Sequence, residues 1–592
     1  MKMNIYKTIS VALALMLCWA AAAQNLDPTV EVNRAYEGKL LEIYKPSFEM
    51  AVPDTVRQFD LDFDYSVFDN PYKGSYEFKP YELMMKPFSV DRQMPSFWLK
   101  AGAGYTLHPD LRFVWTPVKK GRFTMSLYGN YDGYFGEYRK FTPGNSTDGS
   151  FRLKHEVTPD GKASYWRRGY RMRTDAGIQG QYDWKRGYAS FDLGYIGVAA
   201  KDTAKTRDLN GFDLNFNVVS KPSGDAYFHY DIDLDYSMAA DDMRFKKRDV
   251  SLIEHNFDFD AEVGAVFAKS HHLLFDLGLQ TLAYAREFGV SATEISFTPH
   301  YLMKKGRWHL NLGAKIAKIM VPEKSEHYDV KDQVIYPDIV VKFAAAKDAL
   351  SIYAKAGGGN ILNSYTSLLY RNPFTDVDYG RGNSMLDASV ERVSFKLGLD
   401  GRVSKRFMYD LHAGYASISN GLLDAVVLDG TVPGTYEYLP SVGFASYQKL
   451  FVGLDWNWYA KSFAFKGDVE YAAYSGKDAA ENVIMPAPLT GDVEVEYNWN
   501  RRVIVGADCR FASARKGTMA VIGSNGPGAA AAENPAVTVP GFADLGIYAE
   551  YAANNKLSFW LRGGNLLNMT VQYSPLYAEK GINFTAGICL KL

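Results

Sequence analysis

The chain has 592 residues, and 66 Lys+Arg against 67 Asp+Glu leave a formal net charge of −1. This balance excludes the broad basic field that attracts nucleic acid, so no nucleic-acid partner is predicted. Aromatic residues reach 15% of the chain, as suits a surface that is apolar in one zone and wet in the next. After the N-terminal segment no apolar run approaches the ~20 residues of a membrane helix, so a membrane-spanning chain would have to use strands.

The segment 1–23 has the features of a secretion signal. Lys2 and Lys7 precede an apolar core, which is followed by three alanines that end at Ala23. Small residues at this place are those that signal peptidase requires. The sequence therefore predicts cleavage between Ala23 and Gln24 and export of the mature chain.

The next segment, 24–95, differs in composition from the rest of the chain. Prolines recur from Pro46 to Pro95, at a density that excludes long helices and central strands. We expect an extended arm, which lies in the periplasm or in the mouth of a barrel. A loosely ordered leader is the alternative.

From residue 96 onward the chain alternates between apolar and polar residues. The clearest case is Phe228–Met238, in which every second residue is large and apolar and those between are polar or acidic. In a strand, such alternation produces one apolar face and one wet face. The acidic positions of three such runs are predicted to face a lumen. They are Asp231, Asp233, Asp235, Asp258, Asp260, Glu262, Asp492, Glu494 and Glu496.

The runs are joined in turn by tight turns and by longer polar segments. Lys119-Lys120-Gly121-Arg122 and Lys304-Lys305-Gly306-Arg307 are typical of tight turns, whereas 137–174, 358–390 and 420–440 are predicted loops. Short turns at one end and long loops at the other are typical of outer-membrane barrels. We therefore predict an all-β fold, a large transmembrane antiparallel β-barrel of about 20–22 strands that covers 96–592. A secreted β-sandwich or propeller array is the soluble alternative.

The C-terminal run also alternates and ends on an apolar residue. The positions predicted to share one face are Phe584, Ala586, Ile588, Leu590 and Leu592. Such a strand resembles the signal read by the barrel assembly machinery of the outer membrane, although most such signals end in an aromatic residue. This resemblance implies the assembly machinery as a partner during biogenesis, outer-membrane lipid as the surroundings, and the outer membrane of a Gram-negative cell as the location.

Several segments resemble the barrel of TonB-dependent receptors. Gly541–Leu545 enters a strand, Asn565-Leu566-Leu567-Asn568 closes one, and Tyr573–Tyr577 forms a Tyr- and Pro-containing loop before the last strand. Tyr370–Phe374 resembles the Asn-Pro loop of the same family. The resemblance implies a wide barrel that transports a solute. These receptors carry an N-terminal plug, for which 24–95 is short and lacks a compact pattern, so the plug is predicted to be absent. By analogy, the sequence as a whole resembles outer-membrane proteins of Bacteroidota.

No catalytic, metal or cofactor site is predicted, and the chain is not expected to be an enzyme. Asp231, Asp233 and Asp235 have the spacing of a calcium loop, but Tyr236 stands where that loop needs glycine. Two functions remain open. The first is a solute channel or transporter. The second is a non-transporting scaffold, which docks a periplasmic or lipoprotein partner through the arm by strand addition.

Overall fold

The computed structural model describes the part of the chain predicted to form the barrel. It covers 96–592 except 106, 140, 146–150, 156–165, 202–204, 222–227, 246–247, 268–269, 287–290, 322–332, 376–385, 405, 430–436, 477–481 and 523–534. The predicted signal peptide, its cleavage site at Ala23–Gln24 and the arm 24–95 lie outside the described residues.

The described chain is almost entirely strand. The strands are β1 Phe97–Tyr105, β2 Asp110–Lys120, β3 Phe123–Arg139, β4 Phe141–Asn145, β5 Phe151–His155, β6 Trp166–Trp184, β7 Gly187–Lys201, β8 Lys205–Ser220, β9 Phe228–Phe245, β10 Arg248–Phe267, β11 His271–Arg286, β12 Ser291–Lys305, β13 Trp308–Met320, β14 Ile335–Ala346, β15 Leu350–Ile361, β16 Ser389–Val403, β17 Phe407–Asp429, β18 Glu437–Tyr459, β19 Phe463–Ser475, β20 Leu489–Trp499, β21 Val503–Ala512, β22 Arg515–Thr518, β23 Ala520–Ile522, β24 Ala536–Val539, β25 Phe542–Ala552, β26 Leu557–Gly564 and β27 Asn583–Lys591. The helix α1 spans Tyr365–Arg371.

The long strands form one closed antiparallel barrel of 22 strands. The barrel does not include β4, β5 or β22 to β24. Each barrel strand pairs with the next barrel strand along the chain, and β27 pairs with β1 to close the ring. In the described part of the chain, closure leaves the barrel sheet without an edge strand, so every barrel strand has hydrogen-bonding partners on both sides. The predicted all-β barrel and its strand number are confirmed.

The two ends of the barrel differ as the sequence predicted. At the end where β1 begins, called here the short-turn end, Gly121 and Gly306 have φ of 63° and 61°. Glycine adopts this left-handed conformation without a Cβ clash, and the tight turns of antiparallel pairs require it. The opposite end, called here the long-loop end, carries the connections from β3 to β6, β15 to β16, β21 to β25 and β26 to β27.

Strands near the long-loop end are longer than predicted. β17 and β18 have 23 residues each, so much of the predicted loop 420–440 is strand. The segment Ala425–Leu428 is buried at every position and therefore shows no alternation. Val427 and Leu428 also pair with β23, which covers an edge of β17, and Val426 and Leu428 pack in a buried apolar cluster with residues of the connections.

One face of the barrel strands exposes large apolar side chains. Examples are Phe212, Leu214, Phe216, Leu273, Leu277, Phe395, Leu397, Leu411, Leu450 and Leu454. Directly paired residues of neighbouring strands share a face, and Leu411 pairs with both Leu399 and Leu454, so this apolar belt continues from strand to strand. Among the described residues no helix has the length and apolar character needed to cross a membrane.

A small second sheet lies among the connections of the long-loop end. β22 pairs with β24, β24 with β5, and β5 with β4, so the β3–β6 and β21–β25 connections are joined. A buried apolar cluster, called here the loop-end core, accompanies this sheet. It contains Tyr134, Leu153, Ala200, Phe374, Val426, Leu428, Tyr438, Ile484, Met519, Val537, Val539, Leu576, Tyr577 and Ala578.

Candidate solute pathway

The connection from β15 to β16 contains the helix α1 and is called here the inner segment, 362–375 and 386–388. Ser364 caps α1, and its hydroxyl accepts a hydrogen bond from the amide of Ser367 at 3.2 Å. Tyr365, Leu368 and Leu369 are buried, with at most 4% of their surface exposed. They belong to a cluster with wall residues of other strands, which include Val198, Leu209, Ala239, Leu252, Leu282, Ala292 and Ile319.

The contacts of the inner segment extend far round the ring. It is attached to β15 and β16, yet it bonds with Arg173 of β6 and with Glu254 of β10. β7 to β14 lie between these attachments on one side of the barrel. A segment with such contacts spans this arc of the ring, and the strand face that it touches is the one opposite the exposed apolar belt.

Glu254 of β10 binds the N-terminal end of α1. Its carboxylate accepts hydrogen bonds from the amides of Tyr365 and Thr366 at 2.7 and 3.2 Å and from the hydroxyl of Ser364 at 2.6 Å. The hydroxyl of Tyr284 donates to the same carboxylate at 2.9 Å. Glu254 is only 3% exposed, and a negative charge here complements the positive end of the helix dipole.

Arg173 binds the other end of α1. Its guanidinium donates to the carbonyl oxygens of Tyr370 and Arg371, and it lies 4.8 Å from the centre of the Tyr370 ring. The hydroxyl of Tyr370 donates to the Asp175 carboxylate at 3.0 and 3.1 Å. A cation at the C-terminal end and an anion at the N-terminal end both match the helix dipole.

Beyond the helix a buried ion pair holds the chain. Arg207 of β8 donates to the carbonyl oxygens of Pro373 at 3.1 Å and Thr375 at 2.9 Å. Its Nε lies 3.2 Å from a carboxylate oxygen of Asp241, and both side chains are at most 2% exposed. The Tyr370–Phe374 segment, expected to be a loop, therefore begins as helix and is fixed to the wall through its backbone.

The connection from β26 to β27 contacts the inner segment. The rings of Phe374 and Tyr577 stack with centres 4.1 Å apart, and Glu579 forms two hydrogen bonds of 2.9 Å with Arg171. Burial acts to raise the pKa of the Glu579 carboxyl, but the charge and hydrogen bonds of Arg171 outweigh it and hold that pKa below the ordinary 4.5. Asn565 begins this connection with φ of 46°, a conformation that asparagine tolerates.

Six of the predicted acids form a ladder between β9 and β10. Asp231, Asp233 and Asp235 stand directly opposite Glu262, Asp260 and Asp258. They continue the face of β10 on which Glu254 lies, because alternate residues of an unbroken strand share a face. Amide groups of β8 donate to this ladder: Asn215 to Asp233 and Asp235, and Asn217 to Asp231, at 2.6–3.1 Å.

The other three predicted acids lie on β20, in a different sector of the ring. Arg510 binds Asp492 at 3.0 Å, and the Tyr548 hydroxyl donates to Glu496 at 2.7 Å. The structure adds acids that the sequence reading missed. They are Asp400, Asp410, Asp455 and Asp468, which stand directly opposite one another across neighbouring strands and form an acid row that ends at the predicted Asp492. This acid row was hidden because each member lies on a different strand and they meet only through strand register.

Two groups of histidine and acid residues in the described part of the chain have ligand atoms within 4.8 Å of one another. One comprises Glu262, Asp276 and His300, and the other Asp410, His412 and Asp455. Glu262 was predicted as a wall acid, whereas the histidines were not singled out. Each group draws on two or three strands, so no motif along the chain could have indicated it.

The C-terminal strand β27 is placed next to β1. Phe584, Ile588 and Leu592 are 48%, 38% and 54% exposed, and Thr585 and Cys589 between them are buried. The predicted shared face is therefore the exposed apolar one. Its role as an assembly signal stays a prediction.

The chain was compared with known families, sequences and structures. No protein-family model matches it, and no curated protein sequence matches it. Solved structures do match. The FrpB iron transporter from Neisseria meningitidis (F5-1 variant) aligns with a TM-score of 0.60 at 10% identity over 85% of this chain and 83% of that chain.

Two further structures are similar to the chain. The siderophore receptor PirA from Acinetobacter baumannii aligns with a TM-score of 0.57 at 11% identity, over 84% of this chain and 80% of that one. The copper transporter OprC aligns with a TM-score of 0.55 at 10% identity, over 85% and 81%. The chain has the barrel fold of TonB-dependent receptors. At these identities the likeness shows the fold.

Proposed function

We propose that the chain is an integral outer-membrane barrel that passes a solute through a lumen narrowed by the inner segment. The observation that carries the proposal is the inner segment itself, which is held by Glu254, Arg173 and Arg207 from strands far from β15 and β16. Buried charged contacts of this kind keep a constriction in one place. The exposed apolar belt, the predicted signal peptide and the C-terminal strand support a lipid-embedded location reached through the barrel assembly machinery.

The acids suggest which solutes would pass. In this proposal Asp231, Asp233, Asp235, Asp258, Asp260, Glu262, Asp492, Glu494 and Glu496 line the lumen together with the acid row. Closely spaced carboxylates favour cations and polar solutes over anions. The names of the matched structures, iron, copper and siderophore proteins among them, are compatible with this class of solute.

We also propose that the barrel works without the plug of TonB-dependent receptors. The support is the proline-rich composition of 24–95. The inner segment would then supply the barrier that a plug supplies elsewhere. The arm would lie in the periplasm or in the barrel mouth.

A non-transporting scaffold is the second candidate. The observation that favours it is the loop-end core, in which connections from separate sectors of the ring bury one another's apolar residues. A barrel closed in this way could serve as a platform for a periplasmic or lipoprotein partner. Co-purification after extraction with mild detergent would reveal such a partner.

Planar-bilayer conductance tests the channel against the scaffold. The full chain should conduct weakly, and replacing 365–375 with a Gly-Ser linker should raise the single-channel conductance severalfold. Glu254→Ala should raise the frequency of large openings, because it releases one end of α1. Asp260→Asn is the matched control, since it removes a wall charge and leaves the inner segment attached.

The opposite outcomes are equally informative. Unchanged, negligible conductance in the linker variant would overturn the channel and favour the scaffold. Deletion of 24–95 tests the arm separately, because a conductance rise on that deletion alone would assign the barrier to the arm.

A further inference from the structure

We infer that Asp410, His412 and Asp455 form a binding site for a divalent transition-metal ion such as Zn²⁺ on the barrel wall. Asp410 and His412 lie two residues apart on β17, and Asp455 of β18 stands directly opposite Asp410. The three side chains therefore point to the same face, away from the apolar belt that contains Leu411 and Leu454. The inference rests on the fold and on this geometry, and it does not require transport.

The histidine carries the argument. His412 is 8% exposed, and its Nδ1 atom makes no hydrogen bond. This nitrogen is aimed at both carboxylates, 3.4 Å from Asp410 Oδ1 and 3.7 Å from Asp455 Oδ2. These contacts are ion pairs too long for a good hydrogen bond, so the buried nitrogen is only partly satisfied, and an ion coordinated by all three groups would satisfy it.

The spacing suits a small ion. Ligand atoms placed about 2.0–2.2 Å from a tetrahedral ion lie roughly 3.3–3.6 Å apart. The two distances from His412 Nδ1 fall close to this range, and all three ligand atoms lie within 4.8 Å of one another. Imidazole with carboxylates is a donor set that Zn²⁺ and neighbouring divalent ions accept.

The surroundings hold the ligands in position. The Tyr353 hydroxyl donates to both oxygens of Asp410, at 2.7 and 3.0 Å, as an outer-shell partner does. The His412 ring packs at 68° against Phe451 and lies over Gly453, where a Cβ would come within 2.4 Å of Nε2. Because Gly453 has no side chain, the imidazole of His412 can lie over it without a steric clash.

Charge also favours a cation here. Asp410 and Asp455 are like charges directly opposite each other, an arrangement that is unfavourable without a counterion. Their neighbours in the acid row, Asp400 and Asp468, add negative charge. Lys396 acts electrostatically on both carboxylates and is the competitor of the metal ion.

The second histidine group is a less suitable site. One Glu262 oxygen lies 2.8 Å from His229 Nε2 and the other 3.5 Å from His300 Nε2, so each oxygen of this carboxylate already has a histidine partner. At the first group, the Asp455 side chain is 49% exposed, which leaves an approach for the ion and an open position for water. The Glu262 group therefore serves as a control of similar composition.

The test is Zn²⁺ titration of the full-length chain in detergent micelles by calorimetry, together with Co²⁺ absorption spectra. We expect one tight ion per chain. Asp455→Asn and His412→Gln should each abolish tight binding, and Tyr353→Phe should weaken it by about 10–100-fold. Lys396→Gln should strengthen binding, and Glu262→Gln should leave it unchanged.

Heat-dependent gel mobility reports whether each variant has a folded barrel. If His412→Gln does not fold, Asp455→Asn decides, because the Asp455 side chain is half exposed. Absence of Zn²⁺ binding by the full chain overturns the site and leaves His412 as an ion-pair partner of the two acids. Unaltered binding by Asp455→Asn, or loss of binding by Glu262→Gln, also overturns it.

Discussion

Two charged regions of the barrel wall are built on opposite principles. Where the inner segment contacts the barrel strands, charged side chains such as Glu254 and Arg207 are buried, and each has several hydrogen-bonding partners in the protein. Along the β9–β10 ladder, carboxylates stand opposite carboxylates and accept hydrogen bonds from only a few side-chain amides of β8. Removing a charge should therefore be costly in the first region and almost free in the second.

The largest effect is expected at the buried ion pair. Arg207→Met leaves Asp241 without its cation and frees the backbone at Pro373 and Thr375, which should cost about 3–5 kcal/mol of the free energy of unfolding. Guanidinium denaturation in detergent measures it. The double variant Arg207→Met, Asp241→Leu should recover part of the loss, because no uncompensated charge remains. A single variant as stable as the wild type would contradict the assignment.

The next effect is expected at Glu254, which binds the N-terminal end of α1. Glu254→Ala removes the acceptor of the Tyr365 and Thr366 amides, at a cost of about 2–4 kcal/mol from a lost cap and unsatisfied donors. Hydrogen exchange of the amides in 364–371 should accelerate while exchange in β10 stays slow. Glu254→Gln, which keeps an acceptor but loses the charge, should give an intermediate rate. Equal rates in all three proteins would rule out the cap.

A smaller effect should depend on pH. The native pKa of Glu579 is below its ordinary 4.5, so its ion pair with Arg171 stabilises fully above that value and is lost as the pH falls through the lower native pKa. Proteolytic cleavage of the β26–β27 connection should therefore rise below about pH 4.5. Glu579→Gln should show the raised cleavage at neutral pH and no further change on acidification. An acid-induced rise that persists in this variant would assign it to another group.

The smallest effect is expected in the acid ladder. Asp260→Asn removes a charge that faces Asp233, so stability should rise by a few tenths of a kcal/mol, less at high salt. Denaturation at low and high ionic strength measures the change. A loss above about 1 kcal/mol would mean that the ladder is a bound structural unit like the helix cap.

Much of the fold could be predicted from local pattern. Alternation at Phe212–Val218 or Val393–Leu399 indicates a strand with two different faces, because the period of two is a property of the backbone. The turns at Gly121 and Gly306 could also be predicted locally, because the left-handed conformation of glycine is a property of that residue. The pattern failed at Ala425–Leu428, where packing covers both faces and the alternation that marks a barrel strand disappears.

The candidate site was predicted only in part. The nine acids were predicted because each belongs to an alternating run, and their place in a lumen stays a prediction. The inner segment was not, since Tyr365–Phe374 reads as an ordinary loop and its helix is held by Glu254 and Arg173 from distant strands. The acid row and the His412 group likewise depend on register, which a single strand does not specify.

The amino-acid sequence by itself determined that this chain alternates, turns tightly at one end and carries acids on the wet side of its strands, because these are properties of neighbouring residues. Tertiary structure alone decided that the barrel has 22 of the predicted 20–22 strands, that α1 packs against distant strands and that Asp410, His412 and Asp455 meet. Ring closure and strand register set distances between residues hundreds of positions apart. No local propensity contains those distances.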